Sequence, residues 1–224
     1  YELEKEELLP NELKIKINIA LGKICGNINE EYTYYKKSLP LVDIQTDKAV
    51  ASELYYCYAS INDQKDDTNT AANYYKKCIL TEQNPQVNKY LSKSLANLAE
   101  LYDEAGKNEL AIKYYKQSIK IDEETKNYNG LYTNSRHLAE IYSGKNSEQA
   151  LKYLELANTY AKKLKEPYYM ADITYEIGNY YLLRKDFYKS LEYLNQSLAI
   201  ASNTLTKEDT ERISTKIEYV KKYI

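Results

Sequence analysis

The chain has 224 residues, 43% apolar and 29% charged, a balance that supports a folded core and excludes an intrinsically disordered tail. Its formal net charge is −2 and its pI about 5.7, so no general attraction to nucleic acid or to an anionic membrane surface is expected. No run approaches the roughly 18 uninterrupted apolar residues of a membrane-crossing helix.

The predicted elements follow one another as pairs of helices. Residues 11–45 give a helix around Leu21, Gly22 and Cys25. A second carries Tyr34, Tyr35 and Ser38, and Pro40 is expected to end or kink it. Residues 46–83 place Tyr58, Ala59 and Asn62 on one helix and Ala71, Tyr74, Tyr75 and Cys78 on the next. Residues 84–126 are expected to open a helix at Asn84-Pro85 and close it at Gly106. That helix carries Leu98, Ala99 and Tyr102, and the following one Ala111, Tyr114, Tyr115 and Ser118. Residues 127–165 repeat the order with Leu138, Ala139, Tyr142 and a closing Gly144, then Ala150, Tyr153, Leu154 and Ala157. Here the connection is one residue shorter, since Ala150 follows Tyr142 by eight rather than nine. Residues 166–205 open at Pro167, continue through Ile177, Gly178 and Tyr181, and end with Ser190, Tyr193, Leu194 and Ser197. Thr206 and Asp209 have capping-box spacing for a last helix over 206–224, with Ile213, Ile217, Val220 and Ile224 on one stripe.

These pairs form a repeat. The small residues Ser38, Cys78, Ser118, Ala157 and Ser197 recur at intervals of 40, 40, 39 and 40. Four residues before each stands a tyrosine, and the next position holds Tyr35, Tyr75, Tyr115, Leu154 and Leu194. Neighbouring side chains on a helix point about 100° apart, so two adjacent rings cover a wide apolar arc rather than a narrow stripe. A helix sandwiched between two others needs such an arc. The second position accepts Leu and is expected to be fully buried. The first stays Tyr, which suits a half-buried ring with its hydroxyl reaching a polar neighbour.

The residues Leu98-Ala99…Tyr102, Leu138-Ala139…Tyr142 and Ile177-Gly178…Tyr181, each followed by Ala/Ser…Tyr…small, resemble the tetratricopeptide repeat in a long form of about 40 residues per unit. The resemblance spans residues 11 to 202 and departs from the pattern at Asn62. It implies an all-α fold, a right-handed superhelical solenoid of antiparallel helix pairs. Five hairpins would occupy 1–205 (11–45, 46–83, 84–126, 127–165 and 166–205), with a capping or connecting helix at 206–224. It further implies a protein- or peptide-binding scaffold whose first (A) helices line a concave face. An alternative is the ligand-sensing part of a larger transcriptional or signalling regulator, and the start at Tyr1 rather than Met is read in that light. Carried over by register, the A-helix face holds Glu53, Tyr56, Ser60, Asp63, Lys93, Ala96, Glu100, Asp103, Thr133, Arg136, Glu140, Ser143, Asp172, Tyr175, Asn179 and Leu182. Six acids (Glu53, Asp63, Glu100, Asp103, Glu140, Asp172) stand there against two bases (Lys93, Arg136), a balance of −4. The contact strip is expected at Glu100, Arg136, Glu140, Tyr175 and Asn179, with a basic or amphipathic protein or peptide as partner. The carboxylate clamp of chaperone-adaptor members is not expected, because its positions hold Tyr56, Ala96 and Glu100 and only Arg136 fits.

Catalytic chemistry is absent from the motifs. One histidine, His137, is available to any Cys-His or Ser-His arrangement, and no nucleophile elbow, zinc-protease motif, P-loop or dinucleotide fingerprint is present. The expectation is therefore no enzyme, no cofactor and no metal. The acidic run from Asp63 to Asp67 lacks the glycine and terminal Glu of a calcium loop. Cys25, Cys57 and Cys78 are odd in number and lack C-x-x-C spacing, which favours a reducing, cytoplasmic setting over a disulfide framework.

Overall fold

A computed structural model describes residues 9–144 and 147–224. Among them are eleven α-helices: α1 (Asn11–Ile24), α2 (Ile28–Ser38), α3 (Lys48–Asp63), α4 (Thr68–Thr81), α5 (Leu91–Glu104), α6 (Asn108–Thr125), α7 (Tyr128–Ser143), α8 (Ser147–Leu164), α9 (Pro167–Leu183), α10 (Phe187–Thr204) and α11 (Lys207–Lys221). The chain divides into two compact units, the first ending at Ile121 and the second opening at Asp122.

Short connections make consecutive helices antiparallel, and a recurring turn keeps them short. One residue takes the left-handed conformation (Gly26, Asp66, Gly106, Lys126, Lys165, Lys185). In most of these turns the next residue then caps a helix. The side chains of Asn27, Asp67, Asn127 and Asp186 accept the N–H groups of Glu30, Thr70, Gly130 and Lys189, donors that otherwise have no partner inside their helices. Thr206 and Asp209 form the expected capping box. Pro40 ends α2 at Ser38, and one turn of 3-10 helix follows over Leu39–Leu41.

Two local expectations are corrected. Asn84-Pro85 opens only a single turn, held by Val87 and Asn88 N–H on Asn84 O (3.0 and 2.9 Å), and α5 starts at Leu91. The reason is Asn88. Its buried side chain donates to the carbonyls of Cys78 and Glu82 (2.9 Å each), satisfying the end of α4, and accepts from Tyr90 N–H. Ile224 leaves the stripe of α11. The helix ends at Lys221 and Ile224 is 52% exposed, while Ile213, Ile217 and Val220 are buried. The shortened connection before Ala150 falls partly on residues 145 and 146, outside the described residues.

The tyrosine doublet divides its labour. Tyr35, Tyr75, Tyr115, Leu154 and Leu194 are all buried. Tyr34, Tyr74, Tyr114 and Tyr193 are half-buried. Tyr153 departs from that expectation and is buried; it stacks flat on Tyr142 at 5.7 Å. Tyr114 lies likewise on Tyr102 (5.5 Å), and Tyr193 on Tyr181 (5.6 Å). The first ring thus pairs with the aromatic of its own A helix. Where Asn62 takes that slot, Tyr74 meets Tyr58 edge-on at 4.7 Å. The small residues after the doublet are all fully buried. Ser118 donates to Ser92 O (2.9 Å) and Ser197 to Ala171 O (2.7 Å), which binds helix B directly to the backbone of helix A.

In the first unit the core runs through Ile15, Ile19, Leu54, Tyr58 and Ile61 and on to Tyr75, Leu98 and Leu101. In the second it gathers Tyr175, Leu194, Ile213, Ile217 and Val220.

Candidate functional site

The A-helix positions of the first unit are partly spent on internal contacts. Glu53 on α3 accepts from Lys23 Nζ and, at 2.8 Å, from the Tyr90 hydroxyl. The Tyr90 ring stacks on Tyr56 at 4.7 Å, and burial together with Glu53 pushes its phenol up to about 12. Asp63 accepts from the Tyr75 hydroxyl at 3.2 Å, and that hydroxyl accepts in turn from Asn97 Nδ2 at 2.8 Å. Glu100 is exposed on α5. Burial pushes the Cys57 thiol up to about 12 and raises Cys78 as well, so neither is a ready thiolate. Among the described residues no group of three or more His, Cys, Asp or Glu is placed to hold a metal ion, and no helix is long and apolar enough to cross a membrane.

The second unit holds a cleft of about 170 Å³ between α7, α8 and α9. Ala139, Ala150, Leu154 and Leu183 give it apolar walls, and Arg136, Glu140, Glu176, Asn179 and Arg184 supply its polar groups. Three residues of the expected contact strip, Arg136, Glu140 and Asn179, thus come together. Glu100 belongs to the first unit. Tyr175 lies in the core, buried, with the Arg212 guanidinium of α11 4.7 Å from its ring centroid.

Glu176 was not singled out by the sequence. Burial raises its carboxyl above the ordinary 4.5, and the Asp172 and Glu140 carboxylates add to this. A hydrogen bond from Asn179 and the charge of Arg136 pull the other way. Asn179 Oδ1 is buried with no donor. Asp172 accepts from the Tyr132 hydroxyl at 2.6 Å. Arg184 is turned onto its own helix, stacked on the Tyr180 ring at 3.6 Å and donating to Tyr180 O at 3.2 Å.

The repeat register explains the cleft. Glu176 stands immediately before the large apolar residue of its A helix, as Asn97 and Cys57 do in theirs. Asn97 bonds the hydroxyl of Tyr75, the second doublet ring of the preceding B helix, and Cys57 shares a core cluster with Tyr35. In front of Glu176 that ring is replaced by Leu154. The sequence signal was therefore present: an acid at the position that reads the preceding doublet, opposite a copy lacking the hydroxyl.

The family described as tetratricopeptide repeat matches residues 52–85 and 92–125. No curated protein matches the chain. Among solved structures, RapI in its apo form is similar at a TM-score of 0.76 and 14% identity, over 93% of this chain and 75% of that one. BtubC (BKLC) from P. vanneervenii is similar at 0.68 and 19%, over 93% and 84%. YrrB, described as a TPR protein with an unusual peptide-binding site, is similar at 0.64 and 17%, over 96% and 95%. At these identities the likeness is one of fold.

Proposed function

Since residues 52–85 and 92–125 are tetratricopeptide repeats within an all-helical repeat fold, we propose that the chain is a non-catalytic interaction module. It takes a basic or amphipathic protein or peptide segment on the face its A helices present. The observation that carries this reading is the cleft of the second unit, which Arg136 and Glu140 of α7 and Asn179 of α9 all line. The acidic excess of the A-helix positions sets the sign of the partner, and the likeness to YrrB supports a peptide as its form. Exposed ionic contacts weaken as salt shortens the screening length from about 10 Å at 0.1 M to about 3 Å at 1 M, so association is expected to slow with salt.

The test is a peptide-array screen with the parent and with Glu100→Lys and Glu140→Lys combined. Basic segments should bind the parent and lose binding to the double variant. Peptides that bind both alike would move the interaction to another surface.

A further inference from the structure

The swap that opens the cleft also specifies what should enter it. In the first unit, the polar residue ahead of the apolar A-helix position has a tyrosine hydroxyl to bond. Glu176 faces Leu154 instead and is left half-buried. Beside it Asn179 Oδ1 is buried without a donor. Glu176 thus stands half-buried in the lining of an apolar-walled cleft, with Arg136 and Asn179 as its polar neighbours. The carboxylates of Asp172 and Glu140 act on Glu176 against the charge of Arg136, and Arg184, the second cation of the lining, is turned onto Tyr180.

We propose that this cleft is a cation-accepting subsite, in which the head of an arginine or lysine side chain of the bound partner is held by the Glu176 carboxylate. The proposal rests on the peptide-binding reading above and adds which side chain is read and where. A guanidinium or ammonium carries several donors and no acceptor, the complement of a carboxylate. Its methylene stem would lie along Ala139, Ala150, Leu154 and Leu183. The size fits, because a cavity of about 150 Å³ suffices for a benzene ring and the cleft holds about 170 Å³. A charge-assisted hydrogen bond in a partly desolvated cleft is about twice as strong as a neutral one. Glu176 should therefore dominate the preference for a cation.

The experiment is a nitrogen-15 NMR titration with N-acetyl-arginine amide and N-acetyl-lysine amide. The controls are the neutral isostere N-acetyl-citrulline amide and the anion acetate. The cationic probes should shift the amides of Ala139, Glu140, Glu176 and Asn179 saturably, and citrulline should not. Glu176→Gln keeps the shape and removes the charge, and should weaken the arginine probe about tenfold or more. Leu154→Tyr restores the missing ring and should block the probe. Thermal melts establish that each variant is folded, and Glu176→Gln decides the matter if Leu154→Tyr does not fold. Equal response to arginine and citrulline, shifts caused by acetate in place of the cations, unchanged affinity in Glu176→Gln, or no saturable shift would each overturn the subsite. If array peptides bind while the arginine probe does not, the subsite fails and the module stands. If the arginine probe saturates while no array peptide binds, the cation site stands and the peptide-binding module fails.

Discussion

Asn97 Nδ2 donates to the Tyr75 hydroxyl at 2.8 Å, and the same hydroxyl lies 3.2 Å from Asp63 Oδ2. One phenol thus joins the A helices of two successive repeats through the B helix between them. Asp63 is already raised above its ordinary value by burial, and the Tyr75 hydrogen bond partly offsets this. Tyr75→Phe keeps the ring and strands both polar partners. It should cost about 1–3 kcal/mol and raise the Asp63 carboxyl further. A denaturant midpoint and an NMR titration of Asp63 check the two halves separately. An unchanged midpoint would show that the phenol contributes packing alone.

The two rings of Tyr114-Tyr115 should differ sharply in tolerance. Tyr115 is 1% exposed, whereas Tyr114 is half-buried and stacked on Tyr102. Tyr115→Ala should cost about 3–5 kcal/mol. Tyr114→Ala should cost about 1–2 kcal/mol, from an aromatic pair and part of its burial. Thermal melts of the two variants suffice. A loss at Tyr114 equal to that at Tyr115 would remove the division of labour within the doublet.

Much of the helix architecture could be read from residues with local meaning. Pro40, Gly106, Pro167 and the Thr206–Asp209 box mark boundaries through backbone geometry and capping, which depend on a few neighbours. Asn84-Pro85 misled because Asn88, four residues on, bonds carbonyls at the end of α4, a tertiary use that local propensity does not encode. The left-handed Lys126, Lys165 and Lys185 were equally hidden, since lysine carries no turn signal. For the site, register brought out Arg136, Glu140 and Asn179. It missed Glu176, whose meaning comes from what is absent across the interface at Leu154. Tyr175 has the register of a face residue, but α11 brings Arg212 over it.

Close helix approach at Gly178 makes a further test. A Cβ added there would lie 2.9 Å from Leu194 Cγ and 3.3 Å from the Leu194 backbone nitrogen, and the backbone contact cannot turn aside. Gly178→Ala gains helix propensity of at most about 1 kcal/mol, while overpacking costs about 1–3 kcal/mol. The net change should be destabilising, and larger for Gly178→Leu. Ala111, fully buried at the small position near the start of the B helix α6, should respond to Ala111→Leu in the same sense. Melting temperatures at or above the parent in both would contradict the assigned repeat register.

Glu176 gives the stability of the protein a pH dependence of definite sign. Its carboxyl is raised in the folded chain, by burial first and then by Asp172 and Glu140, against Asn179 and Arg136. Ala150 and Leu154, the α8 residues lining the cleft, add only apolar surface. Between the ordinary value and the raised one, the folded state binds more protons than the unfolded state, so this contribution to stability falls as pH rises. It is fully present below the ordinary 4.5 and is lost as pH climbs through the raised value. Asp43, Glu12 and Glu82 are lowered and act with the opposite sign, which makes the raw profile of one protein uninformative. The difference between parent and Glu176→Gln cancels them. Denaturant midpoints of the two should draw together in acid. The variant should then gain on the parent through the weakly acidic range and hold its advantage at neutral pH. A constant gap, or a parent that gains on the variant as pH rises, would mean that Glu176 is adequately solvated or paired where it stands. The neutral-pH advantage would also measure what a vacant cation subsite costs the fold, and the arginine probe should reduce it by binding the parent more tightly than the variant.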